Sequence, residues 1–201
     1  MQFTLYKRLK VGRLIQALTL NDITYWGGFD MLQVIFALFV VQEIQGGSAA
    51  DVGIALFLYK AAALLVSIPV GSLFDSIDSL RDEEMGLILS SIITGTMYIL
   101  LSFATLKWQL FLIMAIVGMA RSLNLNSWRK IFNKSFAKKD SGTQLGIYDT
   151  FFSLGTAFMN VLAGFMSELY GIKFVLVITG IIVYSGIVFP LFVTRDVERL
   201  K

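Results

Sequence analysis

Long apolar stretches, separated by short charged or glycine-containing segments, follow one another along the whole chain. Six of them run from about 14 to 41, 52 to 73, 85 to 106, 109 to 128, 143 to 166 and 172 to 194. Each has the length of roughly 20 apolar residues that a helix needs to cross a bilayer. The pattern predicts an all-α, polytopic membrane protein in which residues 1–201 form a single domain of six transmembrane helices.

The composition agrees with this interpretation. Hydrophobic residues make up 56% of the 201 residues and charged residues only 15%, whereas a soluble domain is about 25% charged. Six spans with short connections use nearly all of the chain. We therefore expect no separate soluble domain.

Several classes of chemistry are excluded by the residues that are missing. The chain has no cysteine and no histidine, which removes disulfides, thiol nucleophiles, histidine bases and the usual zinc and haem ligands. It also has no P-loop, no GxGxxG after a strand and no HExxH motif. We expect neither an enzyme nor a cofactor or metal site, and any proton chemistry falls to carboxylates.

Basic residues indicate the orientation in the membrane and the partner. One predicted side holds Lys7, Arg8, Lys10, Arg13, Arg81, Arg129, Lys130, Lys134, Lys138, Lys139, Arg195, Arg199 and Lys201, and the other holds only Lys107 and Lys173. By the positive-inside rule, both termini are expected in the cytoplasm of a bacterial-type inner or plasma membrane. The net charge of +3 is explained by this topology, so the expected partner is the lipid bilayer and not nucleic acid.

The second and fifth spans share a short internal sequence repeat. Gly53, Ile54 and Gly71 recur 93 residues later as Gly146, Ile147 and Gly164, and Asp75 and Glu168 share that offset. A repeat of three spans must be inverted, because an odd number of crossings reverses the direction of the chain. This similarity between the two spans favours two inverted three-helix repeats, an architecture common among secondary transporters.

Two segments carry a family resemblance. The segment GGSAADVGIALFLYKAAALLVSIPVGSLFD ends with Gly71, Leu73 and Asp75 and resembles the first loop and second helix of major facilitator superfamily transporters, including their GxLaD signature. In that family the aspartate precedes a run of arginines that hold one conformation, and here Arg81 is the nearby arginine. The fifth span is similar to the family's antiporter motif at Gly155 and Gly164, but it has Asn160 where the motif has proline.

A complete family member has twelve helices in two halves, so the resemblance implies that this chain is one half. The second half would be another copy of this chain, a different six-helix chain, or the remainder of a longer protein. We assign a conformational role to Gly71, Asp75, Arg81, Gly155, Asn160 and Gly164.

Charged residues inside the predicted spans are the candidates for function. The five are Asp22, Asp30, Lys60, Arg121 and Asp149, and each costs about 3 kcal/mol or more if it faces lipid. Helix depth predicts one pair of Asp30 with Lys60 and a second cluster of Asp22, Asp149 and Arg121. Asp22, Trp26, Asp30 and Gln33 lie at helical spacing and predict a polar stripe that lines a cavity.

A carboxylate removed from water holds its proton more tightly, as coupling to a proton gradient requires. We therefore interpret the chain as a half-sized secondary transporter that moves a small molecule by alternating access as a homodimer, with Asp22 and Asp30 binding a proton or a cationic substrate. Lys60 and Arg121 would be counter-ions or anion contacts, and the antiporter motif favours efflux. The alternatives are a membrane scaffold or assembly partner and a lipid-handling protein.

Overall fold

The computed structural model describes residues 13–76, 80–135 and 141–191, and these residues form helices joined by short turns. The helices are α1 (Arg13–Glu43), α2 (Ala49–Ser76), α3 (Leu80–Leu101), α4 (Lys107–Ser135), α5 (Ser141–Tyr170) and α6 (Ile172–Ser185), followed by a 3₁₀ turn at Gly186–Val188. In the described residues, the helices α1 to α5 are long and apolar enough to cross a membrane, while Ile172–Val188 is shorter. The six predicted spans therefore correspond to six helices.

Two predicted boundaries differ from the observed ones. The third span was expected to continue to Leu106, but α3 ends at Leu101 because backbone N–H groups of the next residues bond carbonyls three residues earlier and close turns. The break before α4 thus precedes Lys107. The sixth span was expected to run without a break to residue 194, but α6 ends at Ser185 in a 3₁₀ turn. Helical backbone resumes at Pro190, and residues 192–194 lie outside the described residues.

Local contacts explain where α2 and α4 begin. The Ser48 hydroxyl and backbone N–H both donate to Oδ2 of Asp51, at 2.6 and 2.9 Å, which is the reciprocal cap of a capping box. Oε1 of Gln109 accepts the backbone N–H groups of Thr105 and Leu106 at 2.9 and 3.0 Å. These caps satisfy backbone donors that would otherwise be unpaired at a helix start.

The helices do not contribute equally to the packed interior. The helix α2 packs along α4, the helix α5 packs along α1, and α3 packs against α4 and α6. Half of the spans of α1, α3 and α4 is buried, but only 17% of the α2 span and 11% of the α5 span. The bundle therefore has two partly unpartnered helices, α2 and α5, each resting on a better buried neighbour.

Candidate functional site

The predicted polar stripe on α1 is exposed to a different degree at each of its positions. Asp22 is fully buried, Trp26 and Asp30 are partly buried, and Gln33 is exposed. These positions are three or four residues apart and therefore share one side of the helix. The stripe is closed at its N-terminal end and becomes progressively more exposed toward its C-terminal end.

Asp22 lies in a closed pocket between α1, α4 and α5. The Tyr148 hydroxyl donates to its Oδ2 at 2.6 Å, and the Tyr148 ring stacks on Phe152 and contacts Trp128. The prediction that this part of the stripe lines an open cavity is wrong for Asp22, because aromatic rings from two other helices cover it. The Asp22 carboxylate is therefore enclosed within one helix bundle.

The predicted cluster of Asp22 with Asp149 and Arg121 is not formed. Asp149 is exposed on α5, although it follows Tyr148 directly. Arg121 lies beside Trp26 and Tyr59, about one helical turn further along α1 than Asp22. The depth of each residue along its own helix does not reveal that a tyrosine hydroxyl is the partner of Asp22.

Asp30 has a more open environment. It is partly exposed, and the hydroxyl of Thr156 on α5 lies beside it. Asp22 with Tyr148 and Asp30 with Thr156 thus form two carboxylate–hydroxyl contacts that are separated by two helical turns on both helices. The same register of α1 against α5 supports both contacts.

The predicted ion pair between Asp30 and Lys60 is absent. Ion pairs among the described residues join Asp51 to Lys107, Glu83 to Lys130 and Glu43 to Lys173. Lys60 is instead exposed near the middle of α2. The middle of the membrane therefore contains a carboxylate and an ammonium group that this chain does not pair with each other.

Arg121 is positioned by aromatic rings. Its Cζ lies 5.4 Å from the ring centroid of Trp26 and 5.3 Å from that of Tyr59, and the Tyr59 ring stacks on Phe29 at 5.2 Å. Gly118, one turn before Arg121, makes this arrangement possible. A Cβ atom there would collide with the Tyr59 backbone, so glycine lets α2 approach α4 closely enough to bring the ring under the guanidinium.

The residues to which we assigned a conformational role have mixed environments. Gly155 packs against the Ile23 side chain, so a Cβ atom there would collide with it, whereas Gly71 and Gly164 face open space. Asn160 is partly exposed on α5. Asp75 and Arg81 fall in the terminal turns of α2 and α3, and their side chains lie outside the described residues.

Two buried polar contacts between α3 and α4 were not singled out by sequence analysis. Nζ of Lys130 lies 2.6 Å from Oε1 of Glu83, whose side chain is fully buried, and the Asn124 amide donates to Ser90 at 3.1 Å. Glu83 belongs to the acidic start of α3, and Lys130 belongs to the basic end of α4. Their opposite charges at the same end of adjacent helices were the available signal.

The predicted outer side also contains ion pairs. Its two basic residues are both paired, Lys107 with Asp51 at 2.8 Å and Lys173 with Glu43 at 2.8 Å. In addition, the backbone N–H of Gln45 donates to the Thr105 carbonyl at 2.8 Å. These contacts join the turn after α1 to the turn before α4 and fix the outer end of the bundle.

What the site contains can be stated from this geometry. Asp30 and Trp26 come from α1, Tyr59 from α2, Arg121 from α4 and Thr156 from α5. Four helices thus bring an acid, a permanent cation, aromatic rings and a hydroxyl to the middle of the bundle. Among the described residues, no group of three acidic side chains is close enough to hold a metal ion.

Comparison with known proteins is in agreement with this architecture. The sequence model of the Major Facilitator Superfamily matches residues 18–201, while no curated protein sequence matches the chain. Among solved structures, a crystal structure of tetrameric PepTSo2 is similar with a TM-score of 0.69 and 16% identity, over 94% of this chain and 41% of that chain. At this identity the likeness concerns the fold, and the chain spans less than half of that relative. The chain is a membrane protein that belongs to the Major Facilitator Superfamily, a family of transporters.

Proposed function

We propose that this chain is one half of a secondary active transporter, and that it moves a small molecule by alternating access together with a second copy of itself. The observation that carries the proposal is the unpaired charge at mid-span: Asp30 and Arg121 are partly exposed and Lys60 is exposed. A charge that faces lipid costs about 3 kcal/mol or more. Such residues are retained where they meet water, substrate or a partner helix.

Asp30 is the group to which we assign proton coupling. Its carboxylate has a neighbouring hydroxyl, Thr156, but no ion pair among the described residues, so its charge is open to change during a transport cycle. Asp22 differs because Tyr148 and the surrounding rings enclose it. In this proposal, Asp22 exchanges a proton only when α1 and α5 separate.

The second half is most simply another copy, related by a two-fold axis along the membrane normal. Asp30 lies 13 residues before the end of α1, and Lys60 lies 11 residues after the start of α2. At 1.5 Å per residue, these positions are about 20 Å and about 17 Å from the outer helix ends. Lys60 of one copy is therefore at the right depth to neutralise Asp30 of the other.

Open glycines support a pairing of α2 with the partner's α5. No atom lies within 4 Å of a Cβ built at Gly53, Gly71, Gly146 or Gly164, and small residues are typical of helix interfaces in membranes. Gly53 and Gly164 are each about 6 to 9 Å from an outer helix end, and Gly71 and Gly146 are each about 8 Å from an inner end. Antiparallel contact between the two helices would bring both glycine pairs together.

Cysteine cross-linking tests the partner. Because the chain has no cysteine, Gly53→Cys and Gly164→Cys can be expressed on separate copies and oxidised in membranes. We expect a covalent dimer from this combination and from Gly71→Cys with Gly146→Cys. The control combination, Gly53→Cys with Gly146→Cys, places the thiols at opposite ends and should give none. Absence of dimer from both matched combinations contradicts the proposed partner.

Transport itself is tested in proteoliposomes with a panel of labelled amino acids, organic acids, sugars and organic cations. We expect accumulation of at least one class when a proton gradient is imposed, and loss of that accumulation in Asp30→Asn. A panel without any uptake above that of empty vesicles counts against a transporter.

One observation favours lipid handling as the second candidate function. A groove of about 500 Å³ lies between the cytoplasmic halves of α1 and α5. Its lining is mainly apolar and consists of Gln16, Thr19, Leu20, Ile23, Ile147, Tyr148 and Phe151. A lipid chain has the right chemistry for this groove. Reconstituted vesicles that scramble a fluorescent lipid but move no soluble compound would favour this function.

A further inference from the structure

Arg121 is a permanent positive charge in the middle of the membrane. It lies 14 residues after the start of α4, which is about 21 Å from the outer helix end, and a guanidinium does not lose its proton in proteins. No ion pair joins it to an acidic residue in the described part of the chain. The two other partly buried cations of α4 are both paired, Lys107 with Asp51 at 2.8 Å and Lys130 with Glu83 at 2.6 Å.

The contacts of Arg121 leave at least one of its hydrogen-bond donors, the Nε–H group, without a partner. The guanidinium lies over the rings of Trp26 and Tyr59, and such contacts use its flat face. The N–H groups point outward in the guanidinium plane, and Nε is enclosed without a hydrogen-bond partner. The Tyr59 hydroxyl is the neighbouring side-chain oxygen. The site therefore provides a positioned cation that has an unpaired donor and, within the described part of the chain, no anionic partner.

The geometry of a guanidinium decides which ligand fits. Two parallel N–H groups match the two oxygens of a carboxylate. One guanidinium balances one negative charge, so a monovalent anion fits better than a divalent phosphate. The neighbouring rings of Trp26, Tyr59 and Phe29 provide an apolar surface for the rest of such a ligand.

We propose that Arg121 binds the carboxylate of a monovalent organic anion, and that Trp26 and Tyr59 hold the guanidinium in place for it. This inference rests on the proposed transport function and names the substrate class of the same site. Organic cations are excluded as the preferred ligands because Arg121 repels them.

The test compares three probes that share a phenyl ring but differ in charge: phenylacetate, phenylacetamide and phenethylammonium. The background variant carries Trp108→Phe and Trp128→Phe, which leaves Trp26 as the only tryptophan. Binding is followed by Trp26 fluorescence in purified protein in lipid nanodiscs. We expect saturable binding of phenylacetate that is at least about tenfold tighter than binding of either other probe.

Variants assign this binding to the guanidinium. Arg121→Gln should abolish phenylacetate binding, and Arg121→Lys, which keeps the charge but loses the paired donors, should weaken it by about tenfold. The matched control Lys173→Gln removes a positive charge at the outer end of the bundle and should bind as the background does. Elution as a single species in gel filtration verifies that each variant is folded.

Three results would overturn the assignment: phenethylammonium binds as tightly as phenylacetate, Arg121→Gln retains phenylacetate binding, or no probe gives a saturable change. The proposed function is judged separately by uptake and by its dependence on Asp30. If a cation or a neutral compound is taken up and this uptake depends on Asp30, the anion site is refuted but the proposed transport function is supported. Failure of uptake for every class would refute the transporter itself.

Discussion

Asp22 and Asp30 are carboxylates on the same side of α1, two helical turns apart, but the bundle surrounds them differently. Asp22 is fully buried, accepts a hydrogen bond from Tyr148 at 2.6 Å and is covered by aromatic rings. Asp30 is partly exposed, and a threonine hydroxyl of α5 lies beside it. The bundle encloses the charge in the N-terminal half of the helix, while it leaves the charge near the middle partly open.

The difference separates two uses of a charge inside a membrane. A buried acid whose partner comes from a neighbouring helix holds helices together, as Glu83 does with Lys130. A partly exposed acid with few partners remains free to bind a proton, a substrate or a partner copy. The cations Arg121 and Lys60 resemble this second group, because both are at least partly exposed and neither forms an ion pair within the described residues. The candidate site is therefore best defined by exposure and missing partners, not by the presence of charge alone.

The largest expected effect is that of Asp30→Asn. It removes the exchangeable proton from the open carboxylate but keeps its shape, so proton-driven accumulation should fall to the level of empty vesicles while the protein stays folded. Uptake in proteoliposomes measures this, and Asp149→Asn is the comparison at an exposed carboxylate. Full accumulation by Asp30→Asn would contradict the proposal that Asp30, unlike the enclosed Asp22, is the carboxylate that exchanges the proton.

A large effect on stability is expected from breaking the enclosed ion pair of Glu83 and Lys130. Lys130→Met leaves a buried carboxylate without its cation and should cost about 3 to 5 kcal/mol, whereas Glu83→Met combined with Lys130→Met should recover most of that loss. Thermal unfolding of the purified protein gives the comparison. If the double variant is no more stable than the single one, the contact does not behave as an enclosed pair.

Tyr148→Phe should have a smaller effect on stability. It deletes the hydroxyl that donates to Asp22 and keeps the ring, so we expect a loss of about 1.5 to 3 kcal/mol, as for hydrogen bonds to charged groups. The same thermal assay detects it. Thr156→Val, next to the open Asp30, is the matched control and should cost less. An equal loss in both variants would mean that the two carboxylates are held alike.

The smallest effect is expected at the outer end of the bundle. Lys173→Gln breaks the exposed ion pair with Glu43 and should change stability by less than about 1 kcal/mol, because exposed pairs are screened and cost side-chain entropy. A change in midpoint temperature of several degrees would show that this pair contributes more than exposure predicts.

The sequence was sufficient for the fold class because the apolar runs report membrane spans directly. It also identified Asp30, Lys60 and Arg121 as candidate functional residues, because an ionisable residue within a membrane span is costly and therefore rare. It did not predict partners, because these depend on helix rotation and register. Tyr148 reaches Asp22 from α5, and Gly118 brings the Tyr59 ring under Arg121; neither contact follows from depth along a single helix.

Helix ends showed the same limit. The span after residue 85 was expected to continue through Leu106, because residues 102–106 contain apolar side chains. Hydrogen bonds of turns end α3 at Leu101 instead. Hydropathy records the side chains, but the backbone bonds that stop a helix depend on the caps at Gln109 and on the neighbouring turn at Gln45.

The measurement that tests the central claim most directly is the reactivity of single cysteines toward a charged, membrane-impermeant thiol reagent. The chain contains no cysteine of its own, so Gln33→Cys, Asp30→Cys and Asp22→Cys can be compared in membranes opened to reagent on both sides. Ile181→Cys on α6, which is 52% exposed but expected to face lipid, is the control. We predict rapid labelling at position 33, slower labelling at 30 and none at 22 or 181. Labelling at 22 as fast as at 30, or no labelling at 30, would contradict the account.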